Sequence, residues 1–350
     1  VNSLLAISHT KDVLFAAFGL IFFIDSLRLL CPLLQNVGSL STPKLNSLFM
    51  IRMTVNAILM ILLRNNAVYA ICIFAIILII LICASNHKKQ PVSLLVRYLF
   101  VVLIALTLSV TSNRLLIYRT NATPGSIKEM MSLPGQIMGR IHNTVANDEE
   151  RSLIEEYIPN TDEYNYYLAD PMKHYLPFEI WESACKHFLL DTAIMSLKHP
   201  VTALQAVWYT IQGYLDPFHQ PYNADRYYIS FETYRGDAQL DSKIPFLHKL
   251  YNDAFAITSG YCHTPLVIPL YLGIYVWICI LTLIFMIRKH TVHGSDPVYI
   301  PYVFLILYLC TLLLGPGAIT RYGFIYVLTA PLSICLISHF LRNQYSHTEP

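Results

Sequence analysis

The sequence predicts an all-α integral membrane protein, with about seven transmembrane helices and one mostly helical extracytoplasmic domain. Three observations predict it. Only 13% of the 350 residues are Asp, Glu, Lys or Arg, about half the share found in a typical soluble domain. Hydrophobic residues make up 55%, and the mean hydropathy is +0.48. The charge is also segregated: residues 113–264 hold 18 of the 22 acids and 12 of the 24 bases, a net of about −6. The flanks are basic and apolar, so the acidic, Tyr-rich middle reads as a water-facing domain set between membrane segments. A nucleic-acid partner is excluded, because no basic cluster marks a binding face.

A span needs about 20 predominantly apolar residues to cross the hydrocarbon. Val13–Leu30 qualifies, with Asp25 and Arg28 at a helical spacing that lets them pair. Leu45–Leu63 is the weakest span, because it carries Arg52 and Asn56. Arg52 is expected to face protein or the cytoplasmic interface, since an Arg at the bilayer centre costs at least roughly 2.5 kcal/mol. Val68–Ala84, Leu94–Val110, Leu266–Ile287, Val298–Leu314 and Ile319–Leu341 complete the set. The organisation is therefore four spans in residues 1–112, the external domain in 113–264, and three spans in 265–350. The chain opens with Val1 and no charged segment precedes the first apolar run, so no signal peptide is expected.

Orientation follows from the short loops. Lys44, Lys88, Lys89, Arg288, Lys289 and Arg342 all fall on one side by alternation. That side is cytoplasmic. Lys11-Asp12, Arg64-Asn65-Asn66, the Gly315–Arg321 turn and the acidic block then face outward. The expected location is a plasma membrane, crossed several times, with residues 113–264 extracytoplasmic.

Within the block, Ser126–Val145 reads as a helix kinked or split at Leu133-Pro134-Gly135. Asn147-Asp148 caps a second helix to Tyr157. Phe178–Leu197 is amphipathic, and Pro200 opens a helix over Val201–Tyr214. Asp216–Ser242 reads as a long polar, aromatic loop, and Ile244–Ile257 as a last helix along the membrane surface. The seven His of the block show no metal-ligand spacing. The Glu149-Glu150 and Glu155-Glu156 pairs read as a solvated helix face. Cys185 and Cys262 lie in the external block, where an oxidising compartment would permit a disulfide. No CxxC or HExxH motif occurs, so thiol-redox and zinc-protease chemistry find no support.

Three polar features resist a bland explanation, because ionisable groups in spans are costly. They are Arg64-Asn65-Asn66 in a tight turn, Arg321-Tyr322 at the start of the last span, and Lys11-Asp12 at the start of the first. All three fall at one membrane depth on the external side. Arg suits a phosphate because its planar fork donates bidentately. Alternatively, each Arg merely anchors a helix at the headgroups.

Lys11-Asp12 followed by the apolar Val13–Leu30 run, the Leu62-Leu63-Arg64-Asn65-Asn66 turn, and Arg321-Tyr322 with Pro331 beyond it resemble, in order and sidedness, the signatures of the GT-C class of polytopic glycosyltransferases. Leu133-Pro134 and Asp170-Pro171 look most like an uncharacterised bacterial family within that class. The resemblance implies transfer of a sugar from a polyprenyl-phosphate carrier to an envelope glycan, lipid or protein on the external face. The partners it implies are that donor and membrane lipid. Arg64 and Arg321 would then hold the phosphate, Asn65, Asn66 and Tyr322 would orient the carrier, and Asp12 would position one of them or bind acceptor. Asp170 is the reserve carboxylate. No cofactor is evident, and dependence on a divalent metal stays open. The class places its catalytic Asp or Glu in a first external loop ahead of the Lys-Asp opening. The expectation is thus that the general base lies N-terminal to Val1. Two other functions fit the same topology: a polysaccharide polymerase or O-antigen ligase, and a non-enzymatic transporter or flippase subunit, although no inverted repeat is visible.

Overall fold

The computed structural model describes residues 11–30, 47–85, 92–121, 131–159, 183–217, 271–293, 297–315 and 322–345, with residues 317–318, Phe246 and a few positions between 161 and 176. All regular structure among the described residues is helical. Five helices are long and apolar enough to cross a membrane: α1 (Lys11–Leu30), α3 (Asn65–Ser85), α4 (Val92–Thr120), α9 (Leu272–His293) and α11 (Phe324–Tyr345). Two further apolar helices, α2 (Ser47–Leu63) and α10 (Ile300–Leu313), pack in the same bundle but are shorter. At about 1.5 Å per residue they reach roughly 26 and 21 Å.

α1 is the most deeply embedded of the five, packing against α2, α4, α10 and α11. Aromatic rings explain why it sits centrally. Phe22 of α1, Phe74 of α3, Tyr98 of α4 and Phe304 of α10 meet in one cluster, with neighbouring centroids 5.5–6.0 Å apart. Such tilted and edge-on pairs add about 0.5–1.5 kcal/mol each beyond burial. Hydroxyl bonds tie α4 to α1 and α10 to α11: the buried Tyr98 hydroxyl donates to Ser26 Oγ (2.8 Å), and Tyr302 to Ser333 Oγ (3.0 Å).

The weak span acquires its partner here. Arg52 of α2 grips Asp25 of α1 through both Nε and Nη2, at 3.1 and 2.6 Å. Arg28, three residues from Asp25, is exposed and adds its charge nearby. Asp25 therefore takes, besides Arg28, a partner from the neighbouring helix. Arg52's side chain is half-exposed, with its guanidinium on Asp25. α4 continues ten residues beyond the apolar Leu94–Val110 run, to Thr120.

A second, separate core belongs to the intervening block. Met138, Ile141, Ile154, Phe188 and Met195 are its centre, drawn from α5 (Ser132–Thr144), α6 (Asp148–Tyr157) and α7 (Ser183–Lys198). α8 (Pro200–Leu215) packs on α5 and joins this layer to α9 of the bundle. Pro134 sits in the first turn of α5, where no backbone N–H is needed from it; residues 126–130 of the helix expected over Ser126–Val145 lie outside the described residues. Asn147 caps α6 in a reciprocal capping box with Glu150. Pro200 opens α8 as expected. Cys185 is a free thiol buried in this core, not a disulfide partner, and burial pushes it up from its ordinary value. Cys262 and the segments 218–245 and 247–270 lie outside the described residues.

Glu150 corrects one expectation. Glu149, Glu155 and Glu156 are exposed, but Glu150 is buried and holds three partners. Besides closing the capping box it accepts from Lys198 (3.4 Å) and pairs with His199 Nε2 (3.0 Å) at the α7–α8 junction. Burial alone would raise its carboxyl; hydrogen bonds from His199 and the Asn147 backbone, the His199 charge and Lys198 together hold it below its usual 4.5. A carboxylate depressed on folding stabilises above its unfolded value and ceases to as pH falls through the folded one. The block should accordingly lose stability on acidification below about pH 4.5. Glu150→Gln should flatten that acid limb in a thermal-unfolding series, and an unchanged limb would remove Glu150 from the account.

The two layers join through a close backbone approach. A Cβ on Gly273 would overlap the Asp216 carbonyl and lie 3.0 Å from Pro217 Cα. Backbone cannot yield as a side-chain tip can. Gly273→Ala should cost about 1–3 kcal/mol in detergent-solubilised protein. A smaller loss would mean that the α8–α9 junction is loosely held.

Candidate functional site

The helix ends at one end of the bundle bring three of the singled-out motifs together. Asp12 lies in the first turn of α1, where its charge complements the helix dipole, and is 3% exposed. Arg64 is the single non-helical residue between α2 and α3: its N–H reaches the Ile61 carbonyl and its own carbonyl accepts from Ala67. So abrupt a turn turns the Arg64 side chain back over the end of α1. Its Nε stands 3.0 Å from Asp12 Oδ1. Its Cζ lies 3.8 Å from the ring centroid of Tyr322, in the turn that leads into α11.

Tyr322 is itself held. Its carbonyl accepts from the buried Tyr308 hydroxyl (3.1 Å). Tyr308 packs on Phe15 and stacks on Tyr326, with centroids 5.0 and 6.4 Å away. Close by, the buried Tyr214 hydroxyl of α8 donates to the Gly317 carbonyl (3.0 Å). α8 is thus bonded to Gly317, five residues before Tyr322.

The electrostatics of the pair are unusual. Arg64's side chain is 11% exposed and Asp12's 5%. The Arg64–Asp12 contact is an ion pair by distance, but the Nε–H does not point along it. Arg64 Nε and Nη2 are buried and make no hydrogen bond with the described residues. Buried donors normally find acceptors, because leaving one unmade costs about 1–3 kcal/mol, more when charged. A guanidinium braced by a ring on one side and a carboxylate on another, with donors to spare, is equipped to take a further acceptor such as a phosphate oxygen. No group of three or more His, Cys, Asp and Glu among the described residues could hold a metal.

The remaining candidates fall as follows. Asn66 is half-buried in the first turn of α3. Asn65 begins that helix, but its side chain lies outside what is described, as do Arg321 and Asp170. Tyr308, Phe15 and Tyr214 were not singled out by sequence. Each sits in an apolar run and reads there as ordinary core; only the polar bonds of Tyr308 and Tyr214 set them apart.

Residues 1–337 match the model of one protein family, described as a family of unknown function. The chain belongs to DUF6020. No curated protein and no solved structure matches it. The match to DUF6020 covers both layers of the fold and the whole Asp12–Arg64–Tyr322 site.

Proposed function

We propose that this DUF6020 protein is a GT-C-like glycosyltransferase, moving a sugar from a polyprenyl-phosphate carrier to an envelope glycan, lipid or protein acceptor. The observation that carries the reading is the meeting of Asp12, Arg64 and Tyr322 at one end of the bundle. Each comes from a different one of the three GT-C-like motifs. In such a transfer an acceptor hydroxyl gives its proton to a base and attacks the anomeric carbon, while the bond to the carrier phosphate breaks and the phosphate leaves with added negative charge. Preorganised cationic donors stabilise that departure. Arg64 supplies them, Arg321 is the second cation, and Tyr322, Asn65 and Asn66 orient the carrier. Asp12 positions the guanidinium rather than serving as general base, since it is already committed to Arg64.

In this reading all seven apolar helices span a bacterial plasma membrane. The Arg52–Asp25 end is cytoplasmic, and the block 113–264 is extracytoplasmic. The short α2 and α10 are accommodated by neighbouring helices and not by lipid alone, since shorter spans cost only fractions of a kcal/mol per Å of mismatch.

A ligand that binds the folded state alone raises its stability. Undecaprenyl phosphate should therefore raise the unfolding temperature of the purified protein, while the same polyprenol lacking phosphate should not. Arg64→Gln should erase that difference. Equal stabilisation by both lipids would sink the phosphate role.

A further inference from the structure

α8 is the odd member of the block to which it belongs. Its sixteen residues, Pro200–Leu215, include no Asp, Glu, Lys or Arg, although the block holds most of the chain's acids. One face is packed, with Ala203, Ala206 and Thr210 buried. The other carries Val201, Leu204 and Trp208 at helical i, i+3, i+7 spacing, and they are 67%, 69% and 47% exposed. α7, just before it, exposes Leu190, Ile194 and Leu197 with the same kind of step.

That face opens onto a groove of about 580 Å³ between α8 and α9. Trp208 and Leu215 form one wall; Ile274, Trp277, Ile278 and Leu281 form the other. The Trp277 indole N–H donates to the Leu215 carbonyl and fixes the join. Asp216 is the single charged residue among those lining the groove. α9 is one of the five helices able to cross a membrane. Leu281 lies nine residues beyond Leu272, so the groove reaches about 14 Å along α9 from its Arg64 end. Leu281 and Ile284 on that helix are each 56% exposed. The groove is therefore continuous with the outward, apolar flank of a helix able to cross a membrane.

We infer that α8 is seated in the membrane leaflet at the Arg64 end, with Val201, Leu204 and Trp208 against lipid and a lipid hydrocarbon chain in the α8/α9 groove. Apolar patches of this kind are rare on water-facing surfaces. A charge-free helix with one packed and one bare apolar face is stabilised by burying the bare face at the membrane boundary. Two Trp side chains at the groove suit the same boundary, where an apolar ring body meets a polar edge. A water-facing α8 would leave this face in the solvent that penalises it most. The seat also has a structural consequence, because Tyr214 ties α8 to the Gly317 carbonyl. Lipid contact at α8 is thereby bonded to Gly317, five residues before Tyr322.

The inference is independent of any sugar chemistry and is tested on the full chain. The protein has three Trp residues, Trp181, Trp208 and Trp277. The Trp181→Phe, Trp277→Phe variant isolates Trp208. In phosphatidylcholine nanodiscs whose acyl chains are dibrominated near mid-chain, Trp208 should lose most of its fluorescence relative to unbrominated discs. Aqueous iodide should quench it little. The reverse pattern would show α8 facing water and overturn the inference. Quenching by neither reagent would overturn it as well, whether a second copy or the chain itself covers the face, and the particle mass tells which. Should Trp277→Phe impair folding, a spin label at Leu204→Cys in a chain whose eight native cysteines are replaced by Ala gives the same answer. Collision with oxygen should exceed collision with a water-soluble nickel chelate, and the converse overturns the inference.

Discussion

Arg64→Leu should destabilise the protein by about 3–5 kcal/mol, the cost of taking away one partner of a buried ion pair. The variant leaves the Asp12 carboxylate, 5% exposed, without the guanidinium beside it, and strips the cation from the Tyr322 ring. The double variant Asp12→Leu, Arg64→Leu should recover most of the loss, because apolar residues of similar volume replace a buried pair at little cost. The two single losses would then sum to far more than the double, a coupling of the kind a double-mutant cycle isolates. A loss under about 1 kcal/mol for Arg64→Leu would place the pair with ordinary surface ion pairs and refute its burial. The same double variant separates structure from binding. If the site takes a lipid phosphate, the double variant should fold yet show no stabilisation by undecaprenyl phosphate.

The second large effect is an asymmetry at the opposite end of the same two helices. Asp25 is 2% exposed in its side chain and Arg52 50%. Arg52→Ala should thus approach the same 3–5 kcal/mol, since it strips a buried carboxylate of two hydrogen bonds. Asp25→Ala should cost far less, because a half-exposed Arg can extend its head to water or headgroups while its stem stays on the bundle. Thermal unfolding of the two variants in one detergent reads the difference directly. Equal losses would mean that burial, as seen at Asp25, is not what sets the energetics.

Much of the fold was legible because it is written locally. The apolar runs that became α1, α3, α4, α9 and α11 needed only their length and composition, since in hydrocarbon a helix must satisfy its own backbone. The capping box at Asn147 and the Pro200 start of α8 follow from backbone donors within one turn. Glu150 was misjudged for the opposite reason. Its charge invites water, and only Lys198 and His199, about fifty residues on, make its burial tolerable.

The candidate site divides along the same line. Asp12, Arg64 and Tyr322 stand out in sequence because ionisable groups beside apolar spans demand a reason. Their meeting is a matter of register. α1 carries acids at Asp12 and Asp25, thirteen residues apart, and Arg52 and Arg64 are twelve apart. At about 1.5 Å per residue these separations are roughly 20 and 18 Å. Antiparallel packing of α1 on α2 can therefore close both pairs at once, one at each end of the hairpin. The sequence by itself determined that these charges exist and that each must find a partner. Which charge meets which was decided by the tertiary structure, because hydropathy is summed along one chain whereas partner choice depends on how each helix is rotated about its axis. That rotation is set by the packing of rings such as Phe22, Phe74, Tyr98 and Phe304 from four separate helices.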